Sequence, residues 1–262
     1  MIAIKRLSAQ TYELTDADKD SFYLVIGSRK AAVIDTGISK GERILPQLKA
    51  LTTLPMVLVL THAHIDHFHH MDEFETVYMS HKELSMPRGF LEAMMEGKTL
   101  DLEGTINVTT GDKLDLGGQT LEICEVPGHT PGSICVYNPE QNQVFTGDAI
   151  GSGCGVWMQL LGCSTLSEYQ QSLQHFLAWL VERGGRMQFR GGHSHQSAPS
   201  IMHPQGNPLS LGLLCDMIDL VEQVRSGYVA GKPCHGLALT QEPSLLAAYG
   251  RADLVYRQGI VD

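Results

Sequence analysis

Residues 56–67 read MVLVLTHAHIDH: an unbroken apolar run, Met56 to Leu60, discharging into Thr61-His62-Ala63-His64-Ile65-Asp66-His67. A run of that length suits a strand buried on both faces. Open α/β sheets gather their ligands where the chain leaves the carboxyl end of such a strand. The loop that follows carries four metal-competent side chains between positions 62 and 67, more than a structural turn needs. Alternate residues of an extended segment face the same way, so His62 and His64 point together, while Asp66 and His67 fall beyond the bend and serve a second point in space. Two metal ions held a few ångströms apart call for that arrangement.

Single ligand-type residues close other strands. Gly128-His129-Thr130-Pro131-Gly132 follows a predicted strand at Thr120 to Val126, Thr146-Gly147-Asp148 ends a hairpin, and Gly191-Gly192-His193 follows a strand at Met187 to Phe189. The flanking glycines let the backbone approach closely. Taken singly, each motif reads as an ordinary turn or cap; their recurrence at strand ends makes them a set. Upstream, Phe22 to Ile26, a turn at Gly27 to Lys30 and Ala31 to Ile34 stop at Asp35-Thr36-Gly37, and Ser133 to Tyr137 with Val144-Phe145 repeats the phrase before Asp148. Two matching hairpins point to two related sheets.

Further short strands are expected at Tyr78-Met79, Ile106 to Val108 and Ala252 to Tyr256. Helices are expected over Glu42 to Leu51, Ser167 to Arg183 and Leu209 to Arg225, the second with a Ser167/Gln170 capping box and a Gly184-Gly185 stop. Leu84 to Glu103 reads as a short helix with loops or as a mobile cover. In the Gly151 to Cys163 loop, Trp157, Met158 and Leu160 are either an apolar substrate wall or ordinary core packing. Cys154 and Cys163 are a redox pair or two separate thiols.

Composition narrows the class. The 262 residues, 43% apolar, suffice for a full core, and the lack of a Pro- or Ser-rich linker favours one domain over 1–262. A net charge of −10 repels a phosphate backbone or an anionic membrane, so the expected partner is a small-molecule substrate, with neither nucleic acid nor membrane; a homo-oligomer stays open. The start, MIAIKRLSAQTYEL, lacks the pattern of a signal peptide, and six cysteines without a CxxC pair suit a reducing cytoplasm.

HxHxDH followed by separate His, Asp and His residues resembles the metallo-β-lactamase-fold hydrolases over Asp35 to His193. The resemblance implies an α/β fold, a four-layer αββα sandwich with metals at one edge. It implies that His62, His64 and His129 hold one metal, that Asp66, His67 and His193 hold a second, and that Asp148 bridges both, with Asp35 behind them orienting a ligand histidine. His195, two residues past His193, is an alternative ligand or a substrate contact; the family's glycine-preceded histidine favours His193.

Imidazole and carboxylate suit two divalent ions, zinc first, with iron or manganese also compatible. Such ions would ionise a bound water for attack on a carbonyl, with Asp66 as a further proton carrier. Among branches of the family, β-lactamases usually lack the Asp at 148, RNA-processing nucleases carry insertions that do not fit between Asp148 and His193, and flavo-diiron proteins replace a motif histidine. The expectation is therefore a binuclear metal-dependent hydrolase of a small-molecule ester, thioester or lactone, like the glyoxalase II-like thioesterases or lactonases. Two alternatives are a mononuclear iron persulfide dioxygenase-like enzyme and a non-enzymatic metal-binding protein.

Overall fold

The computed structural model describes residues 2–94, 101–151, 155–197, 203–234 and 242–262. Among them the strands form three sheets. The first runs β1 (Ala3–Arg6), β2 (Thr11–Thr15), β3 (Ser21–Ile26), β4 (Ala31–Ile34), β5 (Met56–Val59), β6 (Val77–Met79), β7 (Ile106–Asn107), each beside the next. It is antiparallel through β4 and parallel from β4 to β7. The second contains β8 (Lys113–Asp115), β9 (Thr120–Glu125), β10 (Ile134–Asn138), β11 (Gln143–Gly147) and β13 (Gln188–Gly191), in the order β13-β11-β10-β9-β8. The third joins β12 (Val156–Met158) to β14 (Lys232–Pro233), β15 (Leu245–Tyr249) and β16 (Ala252–Tyr256).

Period-two alternation builds the layers. Tyr23, Val25, Ala32, Ile34, Val57 and Val59 of the first sheet meet Leu121, Ile123, Ile134, Val136 and Phe145 of the second in one buried cluster. Their neighbours in sequence face outward. Phe22, Leu24, Ala31, Val33 and Leu58 pack with Leu48, Phe68, Phe90 and Leu91 of α1 (Leu45–Lys49), α2 (Ile65–Phe68) and α3 (Arg88–Met94). Cys124, Cys135, Tyr137 and Val144 pack with Leu173, Phe176, Leu180, Leu214 and Met217 of α4 (Leu166–Glu182) and α5 (Leu211–Arg225). This is the αββα order, and the apolar run of β5 is needed because both its faces are covered.

Several expectations shift. The helix at Glu42 to Leu51 shrinks to Leu45–Lys49: Pro46 sits in its first turn, and the Glu73 carboxylate accepts from Ile44 N and Leu45 N. The capping box is Thr165/Glu168, two residues earlier than Ser167/Gln170, because Leu166 already joins the buried face. Gly184 and Gly185 end α4 with φ of +92° and +63°, as their sequence suggests. The Gly151 to Cys163 stretch contains a strand, β12, which pairs in parallel with β16. β1 and β2 went unread because short mixed polar strands carry little periodic signal. Leu84 to Glu103 gives α3, with residues 95–100 outside the described residues, as is Cys154 of the proposed thiol pair.

Candidate metal centre

The seven predicted side chains converge from four strand ends. His62 and His64 leave β5; His64 is the N-cap of the single turn α2, which carries Asp66 and His67. His129 follows β9, Asp148 follows β11 and His193 follows β13. Three groups have potential ligand atoms within 4.8 Å of one another: His62, His64 and His129; Asp66, His67 and His193; and His62, His67 and Asp148, which links the other two. Asp148 faces both: its Oδ1 is 3.7 Å from His67 Nε2, and its Oδ2 is 3.2 Å from His193 Nε2 and 3.8 Å from His129 Nε2.

Glycine makes this convergence possible. A Cβ on Gly192 would lie 2.4 Å from Asp148 Oδ1 and 2.6 Å from His67 Cε1. One on Gly128 would strike the Tyr169 ring at 2.1 Å. Tyr169 also donates its hydroxyl to Ala149 O at 2.7 Å, so α4 holds the His129 and Asp148 turns together.

Buried acceptors orient the rings. Asp35 Oδ2 lies 2.9 Å from His67 Nδ1, while Asp35 also accepts from Thr61 N and Thr61 Oγ1, each at 2.7 Å. Asp20 Oδ1 lies 2.9 Å from His193 Nδ1. Trp157 O lies 2.8 Å from His129 Nδ1, and Thr61 Oγ1 lies 3.1 Å from His62 Nδ1. With Nδ1 engaged in this way, the Nε2 atoms of His67, His193 and His129 are turned inward. The sequence reading found Asp35 but missed Asp20 and Glu83. Asp20 stands in DADKD, which reads as a solvated turn, and Glu83 in HKELS, which reads as an exposed helical start. No local signal marks either.

Among the described residues, the Nε2 atoms of His62 and His67 and Oδ1 of Asp148 are buried without a hydrogen-bond partner, and these three residues form one of the groups above. Unpartnered buried polar atoms cost free energy in a dry interior, and gathering them in the His62, His67 and Asp148 group fits a site for a cation. His129 Nε2 and His64 Nδ1 lie 2.9 Å apart, both aimed at the first group's centre. Nitrogen and carboxylate donors of this kind fit a divalent metal without choosing among zinc, iron and manganese.

Electrostatics divides the two groups. Burial, then neighbouring imidazoles, holds His62 and His64 well below the ordinary histidine range. His129 is also lowered by burial, against the pull of Asp148. Burial opposes charge on His67 too, but Asp66, Asp35 and Asp148 overcome it and push the imidazole up to about 10. His193 rises in the same way through Asp148 and Asp20. Burial resists the ionisation of Asp148, yet His193 and His67 bring it below the usual carboxylate range.

A cavity of about 360 Å³ opens over the cluster. Ile38, Ile65, Met94, Trp157 and Leu160 form its apolar wall, and Asp18, Asp20 and His195 also line it. Trp157 and Leu160 thus take the wall positions read from sequence, but Met158 does not: it is fully buried in the core shared with α4. His195 lies in the short turn Ser194–Ser197, its ring 5.3 Å from that of His193, and joins none of the three groups. The extended backbone that would align the two histidines is absent there.

A sequence model described as the metallo-beta-lactamase superfamily matches residues 16–197. Among curated proteins, an acyl-coenzyme A thioesterase, MBLAC2, of Bos taurus is 27% identical over 201 residues, covering 64% of this chain and 70% of that protein. A hydroxyacylglutathione hydrolase of Synechococcus is 31% identical over 166 residues, 59% of each chain. Among solved structures, a metallo-beta-lactamase from Pontibacter korlensis superposes with a TM-score of 0.62 at 22% identity, covering 85% of this chain and 99% of its own. That last likeness shows the shared fold.

Proposed function

The chain belongs to the metallo-beta-lactamase superfamily, and from that premise we propose that it is a two-metal hydrolase of a small-molecule ester, thioester or lactone, thioesters first. In this reading His62, His64 and His129 hold one ion, Asp66, His67 and His193 the other, and Asp148 serves both. The ions, zinc first, would supply a nucleophile from water at neutral pH and polarise the carbonyl under attack.

The observation that carries the reading is a cluster of buried, unpartnered Nε2 and carboxylate atoms directly beneath an apolar cavity. The wall of Ile38, Ile65, Met94, Trp157 and Leu160 would hold an acyl chain and exclude water. Asp66 lines the same cavity with 28% of its side chain exposed, whereas the Asp148 side chain is only 5% exposed. Asp66 is therefore the carboxylate placed to take up the proton that the attacking water gives up and to pass it to the departing sulfur or oxygen. The named activities of the relatives, hydrolysis of acyl-coenzyme A and of hydroxyacylglutathione, are both thioester cleavages and support that substrate class. No Lys or Arg is among the described residues lining the cavity, so an anionic carrier would extend beyond this wall. The acidic net charge favours a freely diffusing substrate over a nucleic acid or membrane surface, in a reducing cytoplasm.

Elemental analysis followed by an ester, thioester and lactone panel tests the proposal. Two ions per chain with acyl-thioester turnover are expected. A single iron with oxygen uptake, or metal-loaded protein inert on the whole panel, would refute it.

A further inference from the structure

The two ligand groups are braced by different means. Carboxylates touch the Nδ1 atoms of His67 and His193 directly, through Asp35 and Asp20. Among the described residues, the outer ring nitrogens of His62 and His129 meet a threonine hydroxyl and a backbone carbonyl instead. What fixes the backbone of this first group is a third buried acid, Glu83, on the turn His81–Ser85 that follows β6. Its residue exposure is 0%.

Glu83 Oε2 accepts from Ala63 N at 2.7 Å, and Ala63 is the residue between His62 and His64. Glu83 Oε1 accepts from Thr130 Oγ1 and from Gly132 N, both at 2.6 Å, in the turn that begins at His129. Thr130 Oγ1 also lies 2.7 Å from Ser133 Oγ, extending the clasp to the start of β10. Gly132 has room only for hydrogen: a Cβ there would sit 2.6 Å from Glu83 N and 2.7 Å from Oε1. One carboxylate thus spans the two turns, with a separate donor set on each oxygen.

We propose that Glu83 is a positioning residue that sets the spacing between the His62/His64 turn and the His129 turn, and so governs the affinity of the first metal ion while leaving the second untouched. The inference rests on the two-metal reading above. Burying a carboxylate is costly, and an apolar side chain would fill the same space more cheaply if packing were the only need. Ala63 N–H and Gly132 N–H require acceptors, and a single carboxylate meets both while fixing their separation. Glutamine cannot replace it. Its amide has one acceptor oxygen, so its NH₂ must face either Ala63 N–H or the N–H of Gly132, donor against donor. Outer acceptors that orient metal ligands typically govern about 10–100-fold in metal affinity.

The test uses the full chain, Co²⁺ alone as the probe, and chelator competition read by visible absorption and native mass spectrometry. Asp66→Asn isolates the first ion and His129→Ala the second. Glu83→Gln is expected to weaken Co²⁺ about 10-fold or more in the Asp66→Asn background and to leave it within about 2-fold in the His129→Ala background. Thr130→Val, which removes one donor without changing shape, should weaken the same first ion by a smaller factor, and it carries the test if Glu83→Gln does not fold. Equal weakening of both ions, or an unaltered first ion, assigns Glu83 to general stability and overturns the inference while the two-metal reading stands. Unsubstituted protein that binds fewer than two ions overturns both.

Discussion

Replacing Asp35 with asparagine changes one oxygen to nitrogen and should cost the second ion most of its affinity. Asp35 is buried, and its two oxygens receive donors from Thr61 N, Thr61 Oγ1 and His67 Nδ1 at 2.7, 2.7 and 2.9 Å. Its φ of +60° is one that asparagine also tolerates, so the backbone should survive. The amide then has two settings. With NH₂ toward Thr61 N, a short buried hydrogen bond becomes a donor–donor contact. With NH₂ toward His67, Nδ1 must accept, its proton moves to Nε2, and the atom aimed at Asp148 can no longer ligate. Both settings remove a charge-assisted bond worth about 1.5–3 kcal/mol, which corresponds to roughly 10–100-fold in metal affinity. Stepwise Co²⁺ titration of Asp35→Asn measures this, with circular dichroism reporting the fold. A folded variant that binds both ions as tightly as the unsubstituted protein, or that loses the first ion before the second, would refute the reasoning.

Asp148→Asn should lower occupancy at both positions, because its oxygens face both groups. His195→Ala should leave metal content intact and alter KM, since His195 lines the cavity outside the three groups; elemental analysis of the two variants checks both outcomes. In the metal-free protein His67 sits at about 10 and His193 is raised, so an ion entering their group must expel protons, and its affinity should climb with pH from neutrality toward 10. His62, His64 and His129 are lowered and already neutral there, so the first ion should show little slope above neutral pH. Calorimetry in buffers of different ionisation enthalpy would detect this, and equal slopes would contradict it. Gly192→Ala should displace Asp148 or His67, costing about 1–3 kcal/mol of stability in thermal or denaturant unfolding along with metal binding.

Legibility followed locality. The ligand-bearing turns were readable because each lies within a few residues of an apolar run and a glycine, and the α4 terminus because Gly184-Gly185 has no helical alternative. The Ser167 cap was misplaced since Thr165 and Ser167 offer the same hydroxyl; burial of Leu166 chooses between them. Met158 could not be separated from Trp157 as wall or core until β12 was seen to pair with β16, about 100 residues away along the chain.

By itself the sequence determined the donor inventory, its order, and a sheet whose central strand must be covered twice, because side-chain chemistry and period-two alternation are properties of short segments. Tertiary structure alone decided which acids stand behind which histidines. Asp20 meets His193, and Glu83 spans Ala63 and Gly132, across separations that no local pattern encodes. Those pairings exist only once two sheets have stacked and removed water from between the turns, the condition under which a buried oxygen must find its donor.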